Sequence, residues 1–324
     1  MKVIITGGKG FIGSHLTDRL INNGFDVTVL DDDSGGDNIN PKARYLRLDC
    51  RNERAVDSAF CMVKPDIVYH LAANAAENKA QFSPIDVTSR NYDAFIKVLT
   101  PFIKYGGKRF IFTSSIAVYG RIPIPFNEAD TLKPKDLYGI TKLAAEKTLE
   151  IMSLVHKFEF VTLRFHNVYG PRQNMTDPYR NVVTIFMNAI MNKKPIYIYG
   201  DGEQKRGFTY IDDIVDALDK SIFCNVKNRA FNIGTDTITT LNQLAIEIGY
   251  KGKPIYLPER PQEVKVAIAD HMKAKLYLGY RDKTSLKIGL EKTWEWAKAM
   301  GPQKPIYTPL EINSDIAPAN WKEI

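Results

Sequence analysis

Cysteine is scarce in this chain, which has only three in 324 residues: Cys50, Cys61 and Cys224. None of them forms a Cys-x-x-Cys pair. Three such thiols cannot build a disulfide framework, and the ligands of a structural zinc site are missing. We therefore expect reduced, buried thiols and no bound metal.

Long apolar runs are also missing. No run approaches the roughly 18 residues that a membrane-spanning helix needs. The first residues lead directly into a glycine-rich turn rather than into the apolar core of a secretory signal. Hydrophobic residues make up 44% and charged residues 25% of the chain, which is the balance of a globular protein. We expect a cytoplasmic protein with no membrane partner.

The formal net charge is +7 and the isoelectric point is near 9.0, so a polyanionic partner has to be considered. The basic residues are scattered, however, and no nucleic-acid-binding motif accompanies them. We interpret the charge as a lysine-rich solvated surface and expect no nucleic-acid partner. A few of these cations remain available for a diphosphate.

Short β-branched runs alternate with longer amphipathic stretches through the first 165 residues. This alternation predicts an α/β protein with a doubly wound parallel sheet of the Rossmann type. After residue 164 the regularity fades, which predicts a smaller, mixed α/β C-terminal domain. We expect domains at 1–166 and 167–324, with the chain crossing back near 211–235 and an extended tail at 302–324. The predicted strands are 3–6, 27–30, 45–48, 67–70, 109–113, 160–164 and 230–233, and the clearest helices are 14–23, 87–99 and 143–155.

The first strand runs into a GxxGxxG turn formed by Gly7, Gly10 and Gly13. Glycines at this spacing allow a tight turn and let the backbone approach a pyrophosphate at a helix N-terminus. The second strand ends at Asp31, where a carboxylate accepts hydrogen bonds from ribose hydroxyls. This pattern predicts a dinucleotide cofactor.

Three further acidic residues follow Asp31, and no arginine lies between residues 31 and 41. A 2′-phosphate would be repelled there, so we expect NAD rather than NADP. The three are Asp32, Asp33 and Asp37. We interpret Asp32 and Asp33 as ordinary solvated charges of a loop.

Tyr138 and Lys142 form a YxxxK motif at the start of a predicted helix. Positions i and i+4 share a helix face, so the phenol and the ammonium group can converge on one site. We expect the lysine and an oxidised nicotinamide to lower the phenol pKa from its usual value of about 10, which would make Tyr138 a base. Ser115 follows the fifth strand and would bind the substrate oxygen, with Ser114 as the second choice.

These motifs together resemble the extended short-chain dehydrogenase/reductase family, within which the NAD-dependent nucleotide-sugar epimerases and dehydratases are the most similar group. The resemblance implies catalysis by Ser115, Tyr138 and Lys142. His70, after the fourth strand, is interpreted as a core histidine. Asn91 either steadies a helix beside the cofactor or is exposed to solvent. The implied cofactor contacts are Gly7, Gly10, Phe11, Ile12, Gly13, Asp31, Asp49, Cys50, Leu71, Ala72, Ala73, Asn91, Tyr138 and Lys142.

The resemblance continues in segments 164–172 (RFHNVYGPR), 200–206 (GDGEQKR), 208–213 (FTYIDD) and 259–263 (ERPQE). It implies that Arg206 clamps a diphosphate, a task that suits a guanidinium fork. Tyr199 either stacks on a base or packs in the core. The family more often has aspartate where Glu263 stands. The implied substrate contacts are Ser115, Asn167, Asn181, Tyr199, Arg206, Arg260, Glu263 and Ala267.

The strand-five segment distinguishes between reactions. Family dehydratases have an Asp-Glu pair where this chain has Ile116 and Ala117, which cannot transfer protons. The closest resemblance is to the 4-epimerases of UDP-glucose and UDP-galactose, and it implies oxidation at C4, rotation of a 4-keto sugar and return of the hydride. Ala75 replaces a lysine that lies beside the cofactor in those enzymes, and the strand-five cysteine of 3,5-epimerases is absent.

Other reactions stay open at this stage. They are epimerisation of a GDP-linked or other nucleotide-linked sugar, a net dehydrogenase or reductase, and a non-catalytic sensor, which the complete Ser-Tyr-Lys set opposes. The small Ala267 predicts that N-acetylated hexoses are accepted beside plain ones. The family commonly forms homodimers through the helices after strands four and five. Phe95, Ile96 and Leu99 fit such a face or, equally well, a face that packs on the sheet.

Overall fold

The computed structural model describes residues 1–223, 225–318 and 321. Two groups of elements make up the molecule, a large sheet with its helices and a smaller C-terminal part. The strands are β1 (Lys2–Thr6), β2 (Asp26–Asp31), β3 (Arg44–Arg47), β4 (Ile67–His70), β5 (Arg109–Ser115), β6 (Glu159–Phe165), β7 (Asn167–Tyr169), β8 (Tyr197–Tyr199), β9 (Lys205–Tyr210), β10 (Arg229–Ile233), β11 (Ile238–Thr240), β12 (Ile255–Leu257) and β13 (Val266–Ala267). The α-helices are α1 (Phe11–Asn22), α2 (Glu53–Val63), α3 (Pro84–Thr88), α4 (Ala94–Lys104), α5 (Leu137–His156), α6 (Val182–Met191), α7 (Ile211–Phe223), α8 (Leu241–Glu247), α9 (Met272–Tyr277) and α10 (Leu286–Met300).

The large sheet has seven strands in the order β10-β6-β5-β4-β1-β2-β3, and every neighbouring pair is parallel. All seven strands predicted from the sequence belong to it, so the doubly wound α/β fold is confirmed. Because successive residues of a strand point to opposite faces, β1 contributes Val3 and Ile5 to one apolar core and Ile4 to the other. Helices α1 and α7 cover the first face, and α2, α4 and α5 cover the second.

The helix predicted at 87–99 is longer and has three parts. Between α3 and α4 the chain forms a π-helical turn over Ser89–Asp93. Phe95 and Leu99 of α4 are buried in the core on the sheet, whereas Ile96 is only partly buried. The sheet-facing alternative is therefore correct for the first two side chains.

The C-terminal part contains more regular structure than the sequence pattern predicted. Its four-stranded sheet joins β11, β9 and β13, with β7 also paired to β9, and β12 pairs with β8. After α7 the chain returns to the large sheet as β10. The division into domains at 166/167, which falls between β6 and β7, stays a prediction.

Two further expectations concern the thiols and the tail. Cys50 is buried but Cys61 is exposed, because it lies on the outer face of α2; the expectation of buried thiols is wrong for it. Cys224 lies outside the described residues, as does part of the predicted tail (319–320 and 322–324). Residues 302–318 contain no helix or strand. Within the described part of the chain, no helix is long and apolar enough to cross a membrane.

Candidate active site

A cavity of about 820 Å³ opens at the carboxyl ends of the parallel strands, between the large sheet and the C-terminal part. Ligands of open α/β sheets bind in this crevice. Its volume lies within the usual range for small-molecule sites. Every site residue predicted from the sequence lines this cavity except Asn91.

The glycine turn between β1 and α1 is shaped for close approach of a ligand. Gly7 has φ +71°, and a Cβ on it would lie 2.9 Å from the backbone of Ala72. A Cβ on Gly13 would lie 2.1 Å from the Gly7 carbonyl oxygen, so only glycine lets the helix approach the strand. Gly10 is the N-cap of α1 and offers no side chain to its free N–H groups. The turn therefore fits a pyrophosphate.

Asp31 lies in the cavity at the end of β2, as predicted. Its carboxylate accepts the backbone N–H groups of Lys9 and Asp33, both at 2.9 Å. Asp32 pairs with Arg90 at 3.0 Å, and Asp33 pairs with Lys9 at 2.6 Å. The interpretation of Asp32 and Asp33 as solvated charges is wrong, because folding brings cations from distant segments to them.

The second predicted contact pair lies after β3. Asp49 forms an ion pair with Arg51 at 2.6 Å, and the pKa of Asp49 is lowered mainly by hydrogen bonds from that arginine. Burial raises the pKa of the Cys50 thiol to about 12, so this thiol stays neutral beside the cavity. Both positions remain available for contacts to an adenine.

Two buried polar residues support the site: His70, at the end of β4, and Asn91, in the π-helical turn before α4. His70 hydrogen-bonds Thr6 at 2.9 Å, and burial lowers its pKa to about 3, so it is a neutral core histidine as interpreted. Asn91 is buried: its Oδ1 accepts the Asn74 N–H at 2.7 Å, and its amide donates to the Asn74 carbonyl and to Thr141. It therefore holds the loop after β4 against α5 instead of lining the cavity, and the solvent-exposed alternative is wrong.

The Ser-Tyr-Lys set converges where β5 meets the start of α5. Tyr138 is buried in the first turn of the helix, and the Lys142 Nζ donates to the Thr113 carbonyl at 2.8 Å. The Ser115 hydroxyl accepts the Ala117 N–H at 3.1 Å. Ser114 points elsewhere, because its hydroxyl donates to Glu146 at 2.5 Å. This geometry favours Ser115 over Ser114.

The electrostatics of this set differ from the expectation. Burial raises the pKa of the Tyr138 phenol, the negative charge of Glu77 raises it further, and a hydrogen bond with Ser115 lowers it. Burial also lowers the pKa of Lys142 to about 8, against the attraction of Glu146. The net effect of the protein groups is therefore to raise the phenol pKa. A bound cation such as an oxidised nicotinamide would have to lower it.

A buried ion pair holds β5, β6 and α5 together below these residues. Arg164 donates to Glu146 at 2.6 and 3.0 Å, and both side chains are 3–4% exposed. Arg164 also donates to the Tyr119 hydroxyl at 2.7 Å, which in turn donates to Asn232 at 2.8 Å. Since Glu146 lies one turn after Lys142, this network fixes the orientation of the catalytic helix.

Two carboxyl groups of the cavity were missed by the sequence analysis. Asp136 caps α5 by accepting the Gly139 N–H at 2.8 Å. It interacts with Glu77, from the loop after β4, and burial together with this neighbouring charge raises the pKa of Asp136 to about 7. The cap could have been found from an aspartate just before the helix, but nothing local in the sequence places Glu77 here.

The predicted substrate residues lie on the opposite wall. Glu263 accepts two hydrogen bonds from Arg260 at 2.9 and 3.0 Å and lies 3.6 Å from Arg206. Its carboxylate therefore holds both arginines side by side. The Arg260 guanidinium lies 4.5 Å above the ring of Tyr199, which is partly buried beside the cavity rather than deep in the core.

The remaining three predicted substrate residues also face the cavity. The Asn167 amide donates to the Gly207 carbonyl at 3.3 Å, and Asn181 adopts a left-handed conformation at the start of α6. Ala267 lies in β13, 8% exposed, where its small side chain leaves space in the cavity wall.

Comparison with known proteins adds independent observations. Residues 3–234 match the NAD dependent epimerase/dehydratase family. A putative UDP-glucose 4-epimerase of Methanocaldococcus jannaschii is 34% identical, over 91% of this chain and 98% of that protein. The crystal structure of a UDP-glucose 4-epimerase of Thermotoga maritima with UDP-glucose superimposes with a TM-score of 0.87 at 36% identity, covering 93% and 99% of the two chains. A UDP-N-acetyl-alpha-D-glucosaminuronate decarboxylase of Bacillus cytotoxicus is 28% identical over 91% of this chain and 97% of that protein.

Proposed function

Since this chain belongs to the NAD dependent epimerase/dehydratase family, and its cofactor is therefore NAD, we propose that it inverts C4 of the hexose in a nucleotide-linked sugar. The convergence of Ser115, Tyr138 and Lys142 beside the glycine turn supports this proposal most directly. UDP-glucose and UDP-galactose, or their N-acetylated counterparts, are the proposed substrates.

In this proposal the protein moves one proton and orients one sugar. Tyr138 removes the proton of the 4-hydroxyl group and later returns it, while Ser115 donates a hydrogen bond to the same oxygen. Lys142, held by the Thr113 carbonyl, keeps a positive charge near the phenol. NAD, when bound, accepts a hydride from C4 and gives it back. No further acid or base is needed.

The substrate would be held by its diphosphate and not by the reacting hexose. Arg206 and Arg260, which Glu263 aligns, offer guanidinium groups for the diphosphate. A sugar held only through its diphosphate can turn in a cavity of about 820 Å³ and present its other face. This anchoring at one end accounts for a change of configuration without release of the intermediate.

Dehydration and decarboxylation are the alternatives within the family. Ile116 and Ala117, which line the cavity after β5, carry no group that could eliminate water. A uronic-acid substrate would bring a carboxylate towards Glu77 and Asp136, and like charges at close range oppose binding. The first observation argues against dehydration, and the second favours a neutral sugar.

The proposal is tested by incubating the purified protein with UDP-, GDP-, CDP- and dTDP-sugars without added cofactor, and by following the products by NMR. We expect C4 inversion of a neutral hexose or N-acetylhexose to an equilibrium mixture. A product that forms only when NAD is supplied in stoichiometric amounts would instead indicate a net dehydrogenase.

We also propose a homodimer in the cytoplasm. Ile151, Leu154 and Val155 lie on one face of α5 and are 62–68% exposed, which suits contact with a second copy. The two described cysteines are free thiols, in keeping with a reducing compartment. Light scattering would report the mass in solution, and a Leu154→Lys variant should shift it towards the monomer. Cell fractionation would report the compartment.

A further inference from the structure

The segment after α10 crosses from the C-terminal part of the molecule to the large-sheet part. We call residues 303–318 together with Trp321 the strap. Its first residues are anchored on α6, where Asn188 exchanges two hydrogen bonds with Gln303 at 2.8 and 2.9 Å. Burial then alternates along the chain, with Pro305 and Tyr307 turned inward and their neighbours exposed, as in an extended strand.

The middle of the strap is fixed to Tyr179. The Tyr179 hydroxyl donates to the Thr308 carbonyl at 2.9 Å and accepts the Thr308 N–H at 3.0 Å. Lys79 hydrogen-bonds the Thr308 side chain, and its ammonium group lies 4.5 Å from the Tyr179 ring. The strap is therefore attached to segments from both sides of the cavity.

The far end of the strap binds the start of α3. The Glu311 carboxylate accepts the N–H groups of Ile85 and Asp86 at 2.7 and 2.8 Å and so caps a helix whose own N-cap side chain makes no such bond. Ile312 donates its N–H to the Phe82 carbonyl at 2.9 Å. These bonds make the strap an ordered part of the fold.

Three strap side chains, Pro305, Tyr307 and Trp321, line the cavity. The Trp321 ring is 2% exposed and lies 5.3 Å from the ring of Tyr179 and 6.5 Å from that of Tyr199. The Arg260 guanidinium in turn stacks on the ring of Tyr199. The strap thus closes the cavity beside Tyr199 and Arg260.

The relatives described above are covered almost completely, at 97–99% of their lengths, while a small part of this chain stays unmatched. The family match spans residues 3–234 and so does not include the strap.

We propose that the strap forms the nucleoside-binding wall of this protein, with Tyr307 packing against the flat base of the nucleotide-sugar and the buried Trp321 ring holding this wall in place. The inference rests on the proposed function, because it needs the diphosphate at Arg206 and Arg260. A sugar nucleotide anchored there places its sugar towards Tyr138 and its base towards the strap. An aromatic wall suits a nucleobase, which stacks through its π-face.

The test is titration of the NAD-loaded protein with UDP, which needs no turnover. Replacing a ring that stacks on a base by alanine weakens binding by about 5- to 100-fold. We expect this loss in Tyr307→Ala and, because the wall loses its support, also in Trp321→Ala, with a parallel rise in KM for the UDP-sugar and an unchanged kcat. Trp321→Phe should recover most of the affinity. Ile316→Ala, at an outward position of the strap that is 70% exposed, is the matched control and should bind as wild type.

The outcomes are distinguishable. If both alanine variants bind UDP within twofold of wild type, or if they lower kcat alone, the strap does not hold the base. If Trp321→Ala does not fold, Tyr307→Ala decides the question, with NAD affinity as the measure of an intact fold. If the wild-type protein binds none of UDP, GDP and dTDP, the proposed function itself is wrong.

Discussion

Replacing Tyr138 by phenylalanine removes the proposed base and leaves its ring in place. The side chain is 8% exposed, so phenylalanine fills the same space without a cavity. The loss for the fold is one hydrogen bond to Ser115, worth about 1 kcal/mol net. The loss for the reaction is much larger, because proton transfer by a positioned side chain contributes about 10²- to 10⁴-fold, or about 2.7–5.5 kcal/mol of barrier.

The assay is turnover of a UDP-hexose by Tyr138→Phe, together with NAD affinity and the unfolding midpoint of the same sample. We expect kcat to fall by about 10²- to 10⁴-fold while NAD binding and folding are kept. Tyr92→Phe is the matched control. The Tyr92 hydroxyl forms a 3.0 Å hydrogen bond with Thr148, and neither residue lines the cavity. The activity of this variant should be unchanged. Turnover of Tyr138→Phe within a few-fold of wild type would refute the assignment of the base.

Four other changes test other parts of the site. Asp31→Ala should lower NAD affinity and blunt the preference for NAD over NADP in titrations, whereas equal affinities in the wild type would show that the charge argument is wrong. Ala267→Tyr should reduce turnover of N-acetylated sugars more than that of plain hexoses, and an unchanged ratio would mean that this residue is not the gate. Glu77→Gln removes a negative charge that raises the pKa of Tyr138, so the acid limb of the kcat profile should move to lower pH; no shift would contradict that coupling. Glu146→Gln breaks the buried ion pair and should lower the free energy of unfolding by about 3–5 kcal/mol in urea titrations, while a change below 1 kcal/mol would mean that the network is dispensable.

The sequence predicted the strands and motifs of the cofactor-binding half well, because each of them is recognised within a short stretch of the chain. The GxxGxxG turn and the YxxxK pair each lie within a few residues, and all seven strands of the large sheet are four or more residues long. Apart from β9, with six residues, the strands of the C-terminal part are shorter, two residues in β13 and three in β8, too short to show a period of two. Those strands were therefore missed.

The errors in the site have a common physical cause, which is the approach of residues distant in the chain. Asp32 is paired with Arg90, 58 residues away, so its charge is not a lone loop charge. The phenol of Tyr138 is buried near Glu77, and both burial and this negative charge raise a pKa that the adjacent lysine and an oxidised nicotinamide were expected to lower. The strap repeats this pattern, since its partners Lys79 and Phe82 lie more than 200 residues earlier in the sequence.

The most direct measurement of the central claim uses a UDP-hexose that carries deuterium at C4, incubated in ordinary water with the protein as purified. If the hydride leaves C4 and returns to the same carbon, the C4-inverted product retains the deuterium through many turnovers, and NMR will show inversion without exchange. Inversion with loss of the label to solvent, release of carbon dioxide from a uronic-acid analogue, or the absence of any inversion across the nucleotide-sugar panel would contradict C4 epimerisation through a retained hydride.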